Sequence, residues 1–226
     1  MGQVCPSKAM MSGKTVIITG ANTGIGKQTA MELARRNARV ILACRNRESG
    51  ERATQEVRRV TRNDQVAFHQ VDLASFTSIR EFSEKILKEE KQIDVLVNNA
   101  GVFMMPLRRS QDGAEIHLAV NYLGQFLLTS LLLDRMKEMP SARIINLAAD
   151  IPSWLMDINF DDINSERSYN RVKAVAQSKT CVLLATQHLA TLLADTNVTV
   201  NSVHPGIVRN EFGRYLDYWY GYFQVN

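Results

Sequence analysis

The chain has 226 residues, of which 45% are hydrophobic and 22% charged, with a formal net charge of +4. These values are typical of a single globular domain with a sizeable core and exclude a disordered chain. There is no run of eighteen apolar residues, no signal peptide, and no metal or disulfide spacing among the three cysteines. We therefore expect no transmembrane segment, no metal site and no secretion, and a location in the cytoplasm or at the surface of an intracellular membrane.

The positive charge is concentrated in one stretch. Nine arginines lie between Arg35 and Arg62, against three glutamates, and no aromatic residues are interleaved with them. This composition indicates a solvated helix face, and we expect no nucleic-acid binding.

A buried strand near the N-terminus runs into a glycine-rich turn and then a helix. Thr15–Ile18 are four apolar or β-branched residues, and Lys27–Arg36 has a helical composition; Gly20, Gly24 and Gly26 lie between them. Glycine permits positive φ and close approach of a phosphate, and a helix N-terminus offers free N–H groups and the positive end of its dipole. The stretch predicts a dinucleotide site, although such corners also carry glycines for steric reasons alone.

Strands and helices then alternate along the chain. Further strands are predicted over Ala38–Cys44, Gln65–Asp72, Ile93–Val97, Arg143–Ala148 and Val198–Val203. Helices are predicted over Asn46–Thr61, after a Ser75 cap, over Asp112–Met139, and from about Ser168 to Ala194. Because each strand is a near-continuous apolar run, the pattern predicts a doubly wound parallel α/β sheet, whose ligands bind beyond the carboxyl ends of the strands.

The ends of the second and third strands bear on the choice of cofactor. An NAD site usually ends its second strand with a carboxylate, but here Cys44 is followed by Arg45. Since arginine can pair with a 2′-phosphate through two parallel hydrogen bonds, this position predicts NADP(H). Asp72 and Leu73 would border the adenine, and Asp72 could equally cap the next helix.

Short motifs stand at the strand ends and helix starts between Lys14 and about Phe212. They are Thr19–Gly26, Leu42–Arg45, Val71–Leu73, Asn98–Gly101, Val120–Gly124 with Phe126–Thr129, Gln177–Lys179 and His204–Gly206. Together they resemble the short-chain dehydrogenase/reductase family, and specifically its retinol-dehydrogenase-like branch. The resemblance implies a Rossmann fold and an NADP(H)-dependent oxidoreductase acting on a lipophilic alcohol or carbonyl compound such as a retinoid.

The resemblance also implies roles for individual residues. The cofactor bed would consist of Gly20, Asn22, Thr23, Gly24, Ile25, Gly26, Arg45, Asp72, Leu73, Asn98, Ala100, Gly101, Lys179, Pro205 and Gly206. Asn121 would hold a proton-relay water, and Lys179 would be the lysine of the family's Tyr-x-x-x-Lys pair.

Two catalytic positions of the family pattern carry other residues. Ala149 stands where the family has a serine after the fifth strand, and Val175 stands at the tyrosine position. A rival pair, Tyr169 and Lys173, has the i, i+4 spacing that places two side chains on one helix face. A shift of six residues moves a pair about 9 Å along a helix and rotates it by about 240°, so the register of Val175 and Lys179 is favoured.

Three functional hypotheses follow from this pattern. The chain is a working oxidoreductase that uses Tyr169 and Lys173 or water, a catalytically silent NADP(H)-binding protein that acts through partners, or a truncated variant that folds poorly. We expect a tail over residues 1–13, one domain over 14–212 and an aromatic segment over 213–226. Relatives in the family continue past Gly206 with a lid, a helix and a seventh strand, so the domain is expected to be short at its C-terminus. A homodimer or another protein partner is a further expectation.

Overall fold

A computed structural model describes residues 5–151, 156–206 and 208, and within these ranges six parallel strands form one sheet. The strands are β1 (Thr15–Thr19), β2 (Arg39–Cys44), β3 (Val66–Gln70), β4 (Val95–Asn98), β5 (Ala142–Leu147) and β6 (Val198–Val203). Their order is β3-β2-β1-β4-β5-β6, with every neighbouring pair parallel. The order reverses between β1 and β4, so the ligand crevice of a doubly wound sheet lies beyond the carboxyl ends of these two strands.

Helices connect successive strands. They are α1 (Gly24–Arg35), α2 (Arg47–Thr61), α3 (Phe76–Glu89), α4 (Gly124–Lys137) and α5 (Arg171–Leu192). A π-helical turn over Leu118–Leu123 leads directly into α4, and a 3₁₀ turn over Phe160–Asp162 precedes α5. The side chains of Asn46, Ser75 and Asn170 accept N–H groups of the first turns of α2, α3 and α5, and thereby fix where these helices begin.

The core lies on both faces of the sheet. Ile17 of β1 packs in a cluster with residues of α3 and α4, whereas Val16 and Ile18 pack in a second cluster with residues of α1 and α2. All three side chains are fully buried. Burial on both faces explains why the strands read as continuous apolar runs, and it confirms the predicted single doubly wound α/β domain.

The predicted strands are confirmed to within two residues at each end, but two helix predictions were wrong in extent. Helix α1 begins at Gly24, not Lys27, so the glycine turn already forms its first turn. The long helix predicted from Asp112 does not begin there, because Glu115 pairs with Arg109 in an isolated bridge and its side chain accepts the N–H of Leu118 (2.9 Å) in the manner of a helix cap.

Within the described ranges, no helix combines the length and apolar character needed to cross a bilayer. The predicted aromatic segment over 213–226 and the domain boundary at 212 lie outside the described residues.

Candidate cofactor and catalytic site

The turn between β1 and α1 forms a backbone cradle. As predicted, Gly20 and Gly24 have positive φ, +64° and +54°. A Cβ atom on Gly26 would lie 2.7 Å from the carbonyl oxygen of Gly20 and would overlap Nδ2 of Asn99. Thr23 is the N-cap of α1 but makes no side-chain cap bond, so the first N–H groups of the helix have no acceptor within it. These features fit the pyrophosphate of a dinucleotide cofactor.

Asn22 and Ile25 complete the turn in different ways. The amide of Asn22 donates to the hydroxyl of Ser49 (3.1 Å) and so ties the turn to α2. Ile25 is half-buried in the first turn of α1.

Thr19 and Asn99 hold the turn against the end of β4, although the sequence indicated them only as members of the motifs Thr19–Gly26 and Asn98–Gly101. The hydroxyl of Thr19 accepts the N–H groups of Asn99 and Ala100, both at 2.9 Å. The amide of Asn99 donates back to the carbonyl oxygens of Thr19 (2.7 Å) and Gly20 (3.3 Å). A hydroxyl residue beside the first glycine and paired asparagines after β4 were the available signals. The segment Asn98–Gly101 therefore joins the site through its backbone.

The side chain of Asn98 turns into the protein. It is 3% exposed, and its amide donates to Thr129 (2.9 Å) and to the side-chain oxygen of Asn146 (2.8 Å). Asn146 in turn donates to the hydroxyl of Thr186 (2.8 Å). This buried chain links β4, β5, α4 and α5, so Asn98 supports the cofactor bed from behind.

Arg45 and Asp72 lie at the same edge of the sheet as the glycine turn. Arg45 directly follows β2 and is exposed, and its carbonyl oxygen accepts the amide of Gln70 (2.9 Å). Asp72 accepts the N–H of Ala74 (2.9 Å) through Oδ1, and it does not cap α3, because Ser75 does. Leu73 is only 5% exposed and belongs to the core, so it offers little surface to an adenine.

Lys179 and Asn121 are buried beside the end of β5. Lys179 is 6% exposed and donates to the carbonyl oxygen of Leu147 (2.6 Å); burial lowers the pKa of Lys179 from 10.5 to about 8. Asn121 is fully buried, and its amide donates to the hydroxyl of Ser178 (3.0 Å), which precedes Lys179 on α5. Val175 stands one helical turn before Lys179. Leu147, which Lys179 contacts, lies two residues before Ala149.

The rival pair, Tyr169 and Lys173, is not brought together on a helix. Helix α5 begins at Arg171 with Asn170 as its cap, so Tyr169 precedes the helix, while Lys173 is on it and exposed. The phenol of Tyr169 donates to the carbonyl oxygen of Met105 (2.6 Å). The disfavoured alternative, in which these two side chains share a helix face, is not supported, because capping by Asn170 sets the start of α5 after the tyrosine.

The loop after β6 approaches the loop after β5. The N–H of Asp150 donates to Nδ1 of His204 (3.1 Å), which stands immediately before Pro205. Gly206 has φ +75°, a conformation that favours glycine. Pro205 and Gly206 are exposed at this edge.

Comparison with known proteins agrees with this geometry. The family model described as short chain dehydrogenase matches residues 14–154. The chain is 51% identical to human retinol dehydrogenase 13 over 215 residues, which cover 95% of this chain and 65% of that protein. The chain therefore spans about 65% of the length of that relative.

Two solved structures show the same fold. An uncharacterized protein from Mycobacterium paratuberculosis has a TM-score of 0.76 and 35% identity over 88% of this chain and 70% of its own. An actinorhodin polyketide ketoreductase with NADPH has a TM-score of 0.71 and 25% identity over 91% of this chain and 77% of its own. With its nicotinamide-cofactor cradle, its parallel sheet and these relatives, the chain belongs to the short-chain dehydrogenase family, in the retinol-dehydrogenase-like branch.

Proposed function

We propose that this chain binds NADP(H) and a lipophilic alcohol or carbonyl compound such as a retinoid, and that it turns this substrate over very slowly. One observation supports the proposal above the others. Lys179, which we assign as the family lysine, is buried with its amine 2.6 Å from the carbonyl oxygen of Leu147, but the residue one helical turn before it is Val175. The lysine that would tune a catalytic phenol is present, and the phenol is absent.

The residues of the site are better suited to binding a cofactor than to transferring a proton. The glycine turn would hold the pyrophosphate, Arg45 the 2′-phosphate, and Lys179 and Gly206 would border the other end of the cofactor, which supplies or accepts the hydride when bound. Valine has no titratable group, so Val175 cannot act as a general acid or base. General acid–base catalysis increases a reaction rate about 10²–10⁴-fold. Ala149 cannot donate a hydrogen bond to a developing alkoxide. One such hydrogen bond increases kcat about 10²–10³-fold.

Tyr169 is poorly suited to replace the missing phenol. Its hydroxyl is engaged with Met105, and burial together with the nearby Glu115 carboxylate raises the pKa of Tyr169 to about 12. A phenol that gives up its proton only near pH 12 is a weak general base at neutral pH. Lys173 is exposed on α5, and the hydrogen bonds of the Tyr169 phenol go to Met105 and His117 instead.

Because turnover is this slow, we expect the protein to act by binding NADP(H) and a protein partner, which is either a second copy of this chain or another protein. Two apolar side chains support self-association, since Phe126 on α4 and Leu184 on α5 are 47% and 50% exposed. The proposed location is the cytoplasm or the surface of an intracellular membrane, where lipophilic alcohols partition.

The test restores the missing groups. We expect the parent chain to bind NADPH and to reduce retinal at a barely measurable rate, and the double variant Val175→Tyr with Ala149→Ser to gain activity. Each single change should restore less activity than additivity would predict from the double variant, because the effects of catalytic groups that act as a unit are not additive. The matched control is Val175→Phe with Ala149→Ser, which fills similar space without the hydroxyl and should stay inactive. NADPH oxidation followed by absorbance measures all variants.

Robust turnover by the parent that Tyr169→Phe abolishes would contradict the proposal and identify Tyr169 as the catalytic phenol. Failure of the parent to bind NADPH would refute the cofactor assignment itself.

A further inference from the structure

The segment that follows the cofactor bed is held by side chains instead of regular secondary structure. Met105 donates its N–H to Nε2 of His117 (3.1 Å), and its carbonyl oxygen accepts the phenol of Tyr169 (2.6 Å). Met104, directly before it, has φ +53° and is 7% exposed. A positive φ is uncommon and strained for most residues other than glycine, so neighbouring contacts are expected to support it. These two bonds therefore hold a conformation that the segment would not keep alone.

A second side chain fixes the start of the same segment. Asn121 accepts the N–H of Val102 (2.7 Å) and donates to the carbonyl oxygen of Val102 (3.1 Å). Both backbone groups of Val102 and both of Met105 are thus bonded to buried or half-buried side chains. The backbone between them, over residues 102–105, is anchored at each end.

The hydrogen bonds around Met105 indicate which tautomer His117 adopts. Because Met105 supplies a proton to Nε2, that nitrogen is an acceptor, and Nδ1 of His117 carries the ring proton and donates to Glu115 (2.7 Å). Burial would raise the pKa of Glu115, but hydrogen bonds from His117 and from the N–H of Leu118 outweigh it and lower the pKa. Glu115 and His117 are 1% and 0% exposed. We call Glu115, His117 and Tyr169 the Met105 clamp.

We propose that the Met105 clamp positions residues 102–105 as one wall of the lipophilic-ligand site, which makes Tyr169 a positioning residue and not a catalytic one. This inference rests on the proposed function. Residues 102–105 directly follow Asn98–Gly101 at the carboxyl end of β4, where ligands of such sheets bind. Within this segment Val102 and Phe103 are half-buried and keep apolar surface that a ligand could cover, whereas Met104 and Met105 are buried.

The clamp is separate from the contacts that hold the cofactor bed. The bed is fixed by Thr19 and Asn99 and by Gln125, whose amide donates to the carbonyl oxygen of Ala100 (2.6 Å). No hydrogen bond joins the side chains of Thr19, Asn99 or Gln125 to Tyr169 or His117. Loosening the clamp should therefore weaken the binding of the lipophilic ligand while the affinity for the cofactor is kept.

The experiment compares the parent chain with Tyr169→Phe and with the matched control Lys173→Met, which alters the exposed member of the former pair. All-trans-retinal is titrated at saturating NADP⁺, because oxidised cofactor cannot transfer a hydride to an aldehyde and binding is observed without reaction. NADP⁺ is titrated separately. Hydrogen exchange of the peptide covering 102–105 is measured on the free proteins, so the clamp is also observed without any ligand.

We expect Tyr169→Phe to weaken retinal binding about three- to tenfold, the effect of one lost hydrogen bond, with the affinity for NADP⁺ unchanged. Exchange over 102–105 should become faster in Tyr169→Phe and stay at the parent rate in Lys173→Met. His117→Gln, which keeps an acceptor for the N–H of Met105, should bind retinal more tightly than His117→Leu.

An equal loss of NADP⁺ and retinal affinity would show a general structural role and overturn the proposal. Unchanged exchange together with normal retinal binding in Tyr169→Phe would overturn the clamp alone. A parent chain that binds NADP⁺ but no retinal would overturn both the proposed ligand class and the role of the clamp in shaping its site.

Discussion

Arg45 is the residue on which the choice between NADP(H) and NAD(H) depends. It follows the last residue of β2, and its side chain is exposed, with no hydrogen-bond or ion-pair partner among the described residues. Its backbone is nevertheless fixed, because Gln70 donates to its carbonyl oxygen (2.9 Å). A guanidinium held in this way is available to a 2′-phosphate, whereas a carboxylate would repel one.

The change Arg45→Asp should weaken NADPH binding about ten- to hundredfold, because a hydrogen bond to a charged group contributes about 1.5–3 kcal/mol, and it should leave NADH binding nearly unchanged. Fluorescence titration with both cofactors measures the ratio of affinities. Arg59→Asp is the control, since it makes the same change of charge at an exposed position near the end of α2. If both variants lose NADPH affinity equally, the effect is one of net charge and Arg45 has no specific role.

Helix α2 packs closely on strand β3 at Gly50, where no side chain separates them. A Cβ atom there would overlap the ring of Phe68 and would lie 2.9 Å from the sulfur of Cys44. Glycine inside a helix is about 1 kcal/mol less favourable than alanine, so helix propensity alone predicts that Gly50→Ala stabilises the protein. Packing and propensity therefore make opposite predictions at one position.

We expect packing to dominate, so that Gly50→Ala lowers the free energy of unfolding by about 1–3 kcal/mol, the usual effect of overpacking a core. Urea denaturation measures it. The double variant Gly50→Ala with Phe68→Leu should recover part of the loss, since it removes the ring that the new methyl group meets. A single variant more stable than the parent would show that α2 can shift away from β3 without cost.

The elements that the sequence predicted well are those whose causes are local. The strands are apolar because both faces are covered, and Gly20 and Gly24 were recognised because positive φ is a property of one residue. The helix around Asn121 was misjudged because its leucine-rich sequence favours one long helix. Its actual start depends on the side chain of Glu115, and the position of Asn121 depends on Val102, both set by tertiary contacts.

Whether Tyr169 forms a helical pair with Lys173 also depends on tertiary contacts. Its spacing from Lys173 is a local pattern, but whether both belong to a helix is decided by capping at Asn170 and by a bond to Met105, which is 64 residues away along the chain. The individual roles of Thr19 and Asn99 were not predicted, because they depend on hydrogen bonds between the ends of two strands that are far apart in the sequence.

At the scale of the whole molecule, Lys179 is a source of instability. It is 6% exposed, and among the described residues no carboxylate pairs with it. Burial lowers its pKa from 10.5 to about 8, so at neutral pH the fold holds a charge that the unfolded chain would solvate better. The shift corresponds to a destabilisation of about 3 kcal/mol below pH 8.

The sign of the pH dependence follows from which state binds more protons. Between about pH 8 and 10.5 the unfolded chain holds the Lys179 proton and the folded chain has lost it, so the stability contributed by this group rises with pH. We expect Lys179→Met to be more stable than the parent at pH 7, and this advantage to shrink as pH approaches 10.5. Comparing the two denaturation curves at each pH cancels the other titrating groups.

A difference that stays constant from pH 7 to 10.5 would contradict this account and point to packing of the methionine instead. The same variant should bind NADPH more weakly, because Lys179 belongs to the proposed cofactor site. Lys179 would then lower the stability of the fold while it strengthens the binding of the cofactor.

Strand β1 is central in the sheet, yet its two neighbours reach it at very different times during synthesis. β2 follows after a single helix, whereas the contacts of Lys14 and Thr15 with Asp94, at the start of β4, span 80 and 79 residues. Closing so long a loop is slow, so β1, β2 and β3 are expected to assemble first, with one side of β1 unpaired. A nascent chain that has not yet reached Val95 therefore exposes the apolar middle of its future sheet. We therefore expect the chain to be most prone to aggregation during this interval.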